Sequence, residues 1–137
     1  MEKAEPAFRD PATEAAFADF DEDARTALLR VRAMIFDVAR STQGVGRLEE
    51  TLKWGQPSYL TPETKSGSTI RLGAPNPGSI AIFAHCQTSI ISDFAAHFSG
   101  AFSVEGNRAV HVKVTDLEAA EGPIRHLIAS ALTYHKR

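Results

Sequence analysis

The sequence predicts one α+β domain in two layers, in which an antiparallel sheet has helices packed on one face. Three observations support this prediction. A chain of 137 residues has room for a single core. Segments with the apolar spacing of helices lie on both sides of segments with the alternating pattern of strands. Turn signals rich in glycine and proline separate the strand segments, which is typical of antiparallel hairpins.

Two helices are predicted before the sheet. Asp10 is an N-cap candidate and Pro11 fits the first helical position, so a short helix begins there. A second helix follows the acidic residues 21–23, and glycines in the segment 43–46 end it. Its apolar side chains recur at the spacing of a helix that faces a core. They are Ala24, Ala27, Leu28, Val31, Met34, Ile35 and Val38.

Two hairpins are predicted in the second half of the chain. The runs 68–74 and 79–85 alternate in polarity and flank a proline-rich turn at 75–78, so they pair as antiparallel strands. The runs 101–104 and 108–114 pair in the same way. One face of each strand is therefore expected to lie in the core, and the other face to be solvated or to meet a partner.

The last two helices are predicted from caps and spacing. Ser89 caps a third helix, and Gly100 ends it. Thr115 and Glu118 match a capping box, after which Gly122 and Pro123 interrupt the chain. The closing helix has a continuous apolar face. That face consists of Ile124, Leu127, Ile128, Ala131 and Leu132.

The same periodicities predict which side chains share the core, because each places its apolar residues on one face. The helices contribute Leu28, Val31, Ile35, Leu127, Ile128 and Leu132. The strands contribute Ile70, Leu72, Ile80, Ile82, Val110 and Val112. We expect all of these residues to be buried together.

Composition favours a soluble cytoplasmic domain. Hydrophobic residues make up 43% of the chain and charged residues 23%, values that are ordinary for a globular protein and too apolar for a disordered one. The single cysteine, Cys86, excludes an intramolecular disulfide. The longest apolar run, 80–84, is far shorter than the roughly 20 residues of a membrane span. The net charge of −2 disfavours a general nucleic-acid binder, so neither membrane nor nucleic acid is an expected partner.

Motifs for catalysis are missing from the sequence. It contains no phosphate-binding loop, no dinucleotide fingerprint, no His-Glu-x-x-His and no Gly-x-Ser-x-Gly. The five histidines show no pair at the helical spacing of a metal site. We therefore predict no catalytic residue and no cofactor, and we regard an enzyme as the least favoured class of function.

The segment 54–59 is the part of the chain least explained by the needs of folding. Gly55 and Pro57 interrupt a short strand at 51–54, and we expect a kink that re-aims the flanking side chains. Trp54 and Tyr59 could line a pocket, or they could be ordinary core aromatics. The pocket interpretation predicts a binding module for a small molecule or a protein. Its predicted ligand-binding residues are Trp54, Tyr59, Arg71, His85, Arg108 and His111.

The segment 50–59 reads Glu-Thr-Leu-Lys-Trp-Gly-Gln-Pro-Ser-Tyr. It resembles the Glu-Thr-Ile-Lys-Trp-Gly-x-Pro-x-aromatic signature of the YdhG-like family, bacterial domains of unknown function. The resemblance continues from about residue 15 to the end of the chain. It implies a two-layer fold similar to frataxin for residues 15–137. Residues 1–14 are then an acidic N-terminal extension that includes the start of the first helix.

The resemblance also implies an alternative function, because a frataxin-like iron-chaperone role is attached to some members of the family. Frataxins bind iron through acidic residues on their first helix and the neighbouring sheet edge. The comparable stretch of this chain contains four carboxylates that would bind iron, namely Asp19, Asp21, Glu22 and Asp23. The residues alone offer another explanation, since acidic side chains at the start of a helix also complement its dipole.

Overall fold

The computed structural model describes residues 6–98 and 100–136, and within them four α-helices and six strands form two layers. The helices are α1 Pro11–Ala18, α2 Glu22–Ser41, α3 Ile90–His97 and α4 Glu121–Leu132. The strands are β1 Glu49–Lys53, β2 Gln56–Leu60, β3 Ile70–Gly73, β4 Ser79–Phe83, β5 Ser103–Glu105 and β6 Ala109–Lys113. They form one sheet in the order β1-β2-β3-β4-β6-β5, in which every pair is antiparallel. The predicted α+β class is confirmed. Residues 1–5 of the predicted extension lie outside the described residues.

One core lies between the helices and one face of the sheet. Every predicted core residue belongs to it, and none is more than 3% exposed. Helix α2 packs against α4, and α3 packs against α4. The strand residues of the core, such as Ile70, Ile80 and Val110, share one side of their strands, so the helices cover that side only. On the opposite side, the buried cluster of Ala81, Phe83 and Ala109 contains no residue of the described helices.

The chain around Trp54 differs from the predicted kink. Strands β1 and β2 form a hairpin in which Lys53 pairs with Gln56, so Trp54 and Gly55 are a two-residue turn. Pro57 lies within β2 and does not interrupt it. The pairing of β2 with β3 covers only Ser58 and Tyr59, so no partner in β3 requires the amide hydrogen that Pro57 lacks.

The predicted capping box does not start a helix. Thr115 lies in a 3₁₀ turn at Val114–Asp116, and α4 begins later, at Glu121. Pro123 belongs to the first turn of α4 rather than interrupting the chain. A proline is tolerated there because the first amide hydrogens of a helix have no partner within the helix.

A buried ion pair joins α2 to the sheet. The Arg32 side chain is only 1% exposed, and its guanidinium donates to both carboxylate oxygens of Glu50, from Nε at 2.6 Å and from Nη2 at 3.0 Å. The Tyr59 hydroxyl donates to the same carboxylate at 2.7 Å. Every member of this network therefore has a hydrogen-bond partner, which burial in a region of low dielectric requires.

The same arginine anchors the start of the described chain. Its guanidinium donates to the carbonyl oxygens of Pro6 and Ala7. It also lies between two aromatic rings, 3.8 Å from the Phe8 centroid and 5.0 Å from the Phe36 centroid. Cation–π contacts of this kind strengthen when water is excluded. Arg32 thus organises three parts of the chain at once: the segment before α1, helix α2 and strand β1.

The pH dependence of the free energy of unfolding above about pH 10 reports on the environment of Tyr59. Burial raises the pKa of the Tyr59 phenol well above its usual range, and the neighbouring Glu50 carboxylate adds to the shift. The unfolded chain releases this proton near pH 10 and the folded chain retains it, so the free energy of unfolding falls as the pH rises above about 10. Below that pH both states hold the proton, and Tyr59 contributes no pH dependence.

The variant Tyr59→Phe isolates this contribution in denaturant titrations from about pH 8 to about pH 11. At pH 8 we expect the variant to be about 1.5–3 kcal/mol less stable, because it loses a hydrogen bond to a charged acceptor. Above about pH 10 the difference in stability between the variant and the wild type should narrow, by up to about 1.4 kcal/mol per pH unit, because only the wild type loses stability through the phenol. A difference that stays constant over the whole range would show that the phenol titrates alike in both states.

Candidate functional site

Two rows of side chains cross the face of the sheet that the helices leave uncovered. The strand register aligns the first row, which consists of Thr51, Ser58, Arg71, Phe83, Ala109 and Glu105. The second row consists of Lys53, Gln56, Gly73, Ala81, His111 and Ser103. Polar and charged side chains predominate towards both edges of the face. The two central strands, β3 and β4, contribute Arg71, Gly73, Ala81 and Phe83.

The middle of this face has its own small apolar cluster. Ala81, Phe83 and Ala109 pack together separately from the main core. Gly73 pairs with Ala81 of this cluster. A Cβ atom added to Gly73 would be 3.1 Å from Phe83 Cε2 and 3.2 Å from Gln56 Nε2. Those distances are tighter than ordinary van der Waals contact, so the glycine allows both side chains to lie close against the sheet.

A concavity of about 470 Å³ opens above one end of this cluster. Its volume falls within the range of roughly 300–1,000 Å³ that small-molecule sites occupy. Its lining residues are Trp54, Gln56, Arg71, Pro75, Phe83, Glu105 and Arg108. Three predicted site residues, Trp54, Arg71 and Arg108, are therefore neighbours here, although they come from three separate parts of the chain.

Trp54 is the most unusual residue of the concavity. Its side chain is 88% exposed, and its backbone has a φ of 57°. Gly55 follows with a φ of 75°, so both turn residues are left-handed, as in the hairpin turns that prefer Asn-Gly. A bulky residue in this conformation costs roughly 1–2 kcal/mol. Neither burial nor turn chemistry accounts for a tryptophan at this position.

Two arginines supply positive charge to the concavity. Arg71 is half-buried, and its guanidinium forms no hydrogen bond or ion pair with any side chain in the described part of the chain. Arg108 has only a long contact, 3.6 Å from its Nη1 atom to a Glu105 carboxylate oxygen, with both side chains largely exposed. Such an exposed pair contributes little to stability, so both guanidiniums are available to an anion.

His111 does not line the concavity, but it contacts Glu105, which does. Its Nε2 atom lies 3.1 Å from the other oxygen of Glu105. Its Nδ1 atom is buried and has no hydrogen-bond partner among the described residues. The ring lines a second concavity of about 340 Å³ near β5 and the turn after β6. His111 therefore acts on the first concavity only through the position of Glu105.

The other two predicted ligand-binding residues lie elsewhere. Tyr59 is fully buried on the helix side of β2. Its position therefore fits the role of a core aromatic and not that of a pocket residue. His85 is exposed beyond the end of β4, where its Nδ1 atom accepts a hydrogen bond from the Gln87 amide at 3.1 Å. Neither side chain lines the concavity beside Trp54. The sequence analysis missed Gln56, Phe83 and Glu105, which the strand register could have placed there once β1 and β2 were paired.

The carboxylates predicted for iron are all exposed, around the start of α2. Asp19, Asp21, Glu22 and Asp23 line a surface concavity together with the turn 74–78. Asp21 is the N-cap residue of α2, and no side-chain capping hydrogen bond accompanies it. Within residues 6–98 and 100–136, no group of three or more His, Cys, Asp or Glu side chains is arranged to hold a metal ion.

Comparisons with known proteins add no further information about the site. No family model, no curated protein and no solved structure matches the chain. Among the described helices, none is both long enough and apolar enough to cross a bilayer.

Proposed function

We propose that this protein is a binding module that takes a small anionic molecule in the concavity beside Trp54. One observation supports the proposal above all others: an 88% exposed tryptophan occupies a strained turn position next to an arginine without an ion pair. Strained residues that no packing requires are concentrated at binding sites. The two guanidiniums give the ligand its expected charge.

A small molecule is favoured over a protein partner by the character of the surface. Among the described residues, the only large hydrophobic side chains that are exposed are Trp54 and Val104. Large contiguous apolar patches mark many protein-binding surfaces, and two exposed side chains amount to a small patch at most. A concavity with one exposed ring and several hydrogen-bonding groups resembles a ligand site more closely.

Membership of the YdhG-like family is part of the proposal, because the signature in residues 50–59 supports it without a matching family model. The resemblance also implies the iron-chaperone alternative. No observation at Asp19 or its acidic neighbours raises it above the binding module. The cytoplasmic location likewise remains an expectation from composition.

The variant Trp54→Asn tests whether the tryptophan serves the ligand or the fold. Asparagine suits the left-handed turn, so we expect the melting temperature to stay the same or to rise slightly. The ligand response should weaken, because the exposed ring is gone. Thermal-shift assays with acetate, cyclohexanecarboxylate, benzoate and inorganic phosphate measure both properties. A ligand present at about 100 times its Kd stabilises the native state by about 2.7 kcal/mol, which is several degrees of melting temperature.

Two arginine variants complete the test. Arg71→Ala should reduce the stabilisation of the wild-type protein by any of these anions. Arg30→Ala is the matched control, since Arg30 is an exposed arginine of α2 whose contact with Glu121 is a weak 4.0 Å. The proposal fails if no anion stabilises the wild type, or if the Arg71 and Arg30 variants respond alike.

A further inference from the structure

The concavity beside Trp54 combines an open aromatic face with unpaired positive charge, and we infer that its ligand is a planar ring bearing a single carboxylate or phosphate group. This inference rests on the proposed function and defines the class of its ligand. It follows from three properties of the lining: the aromatic surfaces, the geometry of guanidinium groups and the position of Glu105.

Two aromatic residues line the concavity. Trp54 leaves most of its indole in water, whereas Phe83 is largely buried. Aromatic side chains prefer to meet other rings in offset-stacked or edge-to-face arrangements. A planar ligand can cover the indole and contact the phenylalanine. An aliphatic ring of the same size can contact the indole through its C–H groups, but it gains no π-stacking.

The positive charge of the two arginines in the lining predicts an anionic group on that ring. The guanidinium of Arg71 has no partner among the described side chains, and Arg108 is held only by its 3.6 Å contact with Glu105. A guanidinium presents parallel N–H donors that match two oxygens of a carboxylate or phosphate. A neutral ring would leave this donor capacity to water and gain only the stacking contact.

Glu105 limits how much negative charge the ligand can carry. Its carboxylate lines the concavity and is also oriented by the 3.1 Å contact with His111. A carboxylate accepts hydrogen bonds and repels other anions, so it disfavours a second charged group on that side. It favours a ligand whose ring edge carries an N–H donor. The Gln56 amide in the same lining can both donate to and accept from such an edge.

A set of matched probes tests the ring and the charge separately. Benzoate and nicotinate have both features, benzamide lacks the charge, and cyclohexanecarboxylate lacks the planar ring. Phenyl phosphate keeps the ring of benzoate, so it distinguishes a phosphate from a carboxylate. Trp54 is the single tryptophan of the chain, so its fluorescence reports binding directly, and calorimetry gives the affinities. We expect saturable binding of at least one ring-bearing anion. Its uncharged or non-planar counterpart should bind at least about tenfold more weakly.

Variants identify which group recognises which feature. Trp54→Asn should weaken benzoate binding about tenfold and cyclohexanecarboxylate binding less, since only the planar ring π-stacks on the indole. Arg71→Lys keeps the charge but loses the paired donors, so it should weaken both acids. Arg30→Ala should change neither.

The outcomes separate this inference from the proposed function. Equal affinities for benzoate and cyclohexanecarboxylate, both weakened by Arg71→Ala, would mean that the site binds anions without regard to a ring. That result overturns the inference and leaves the proposed function standing. Absence of binding by every anion, planar or not, would overturn both.

Discussion

Replacement of Arg32 by methionine is expected to lower the free energy of unfolding by about 3–5 kcal/mol, because it leaves the buried Glu50 carboxylate without its counter-ion. Methionine retains much of the length of the side chain, so a large loss reports the charge rather than a cavity. The variant also releases the carbonyl oxygens of Pro6 and Ala7 and the stacked contacts with Phe8 and Phe36. Denaturant titration followed by circular dichroism measures the change.

The double variant Arg32→Met, Glu50→Gln distinguishes an unpaired charge from lost packing. Glutamine is uncharged and still accepts the hydrogen bond from the Tyr59 hydroxyl, so the double variant should recover part of the stability lost in the single one. A double variant as unstable as the sum of its two single variants would contradict this account. A loss below about 1 kcal/mol in Arg32→Met would also contradict it, because it would mean that Glu50 finds water or another partner.

Truncation of Ile128 to alanine should destabilise the protein by about 2–5 kcal/mol. Ile128 is fully buried in the face of α4 that enters the core, and α4 packs against α2. The removed carbons leave a cavity between two elements that cannot easily close it. Ser130→Ala on the same helix is the matched control, because Ser130 is only half-buried and the change should stay within about 0.5 kcal/mol. Equal effects of the two substitutions would show that helix α4 contributes to the core through other residues.

The core could be predicted from the sequence because its determinants are local. Helical spacing and strand alternation each depend on residues a few positions apart, and they place Ile128 and Val110 on buried faces without knowledge of the partner. The turn at Trp54 could not be predicted in the same way. Its two residues lack the Asn-Gly pattern by which such hairpins are recognised, and Pro57 argued against a second strand.

The candidate site was only partly predictable, for a related reason. The residues of the signature at 50–59 lie on both faces of one hairpin. Glu50 and Tyr59 point into the core and hold Arg32, whereas Gln56 lines the concavity on the opposite face and Trp54 overhangs it. Strand alternation separates these roles only once the register is known. The sequence analysis therefore grouped Tyr59 with Trp54, although the sheet stands between them.

The two outer strands of the sheet carry features that limit pairing with other chains. Strands β1 and β5 are its outermost members, and each leaves one side of its backbone unpaired. Such edges invite pairing with another chain, which leads to aggregation. β5 is only three residues long and ends in Glu105, while β1 carries Glu49 at one end and Lys53 at the other. Short length and charge are the features by which sheets resist edge-to-edge growth, and the two outer strands of this sheet combine them.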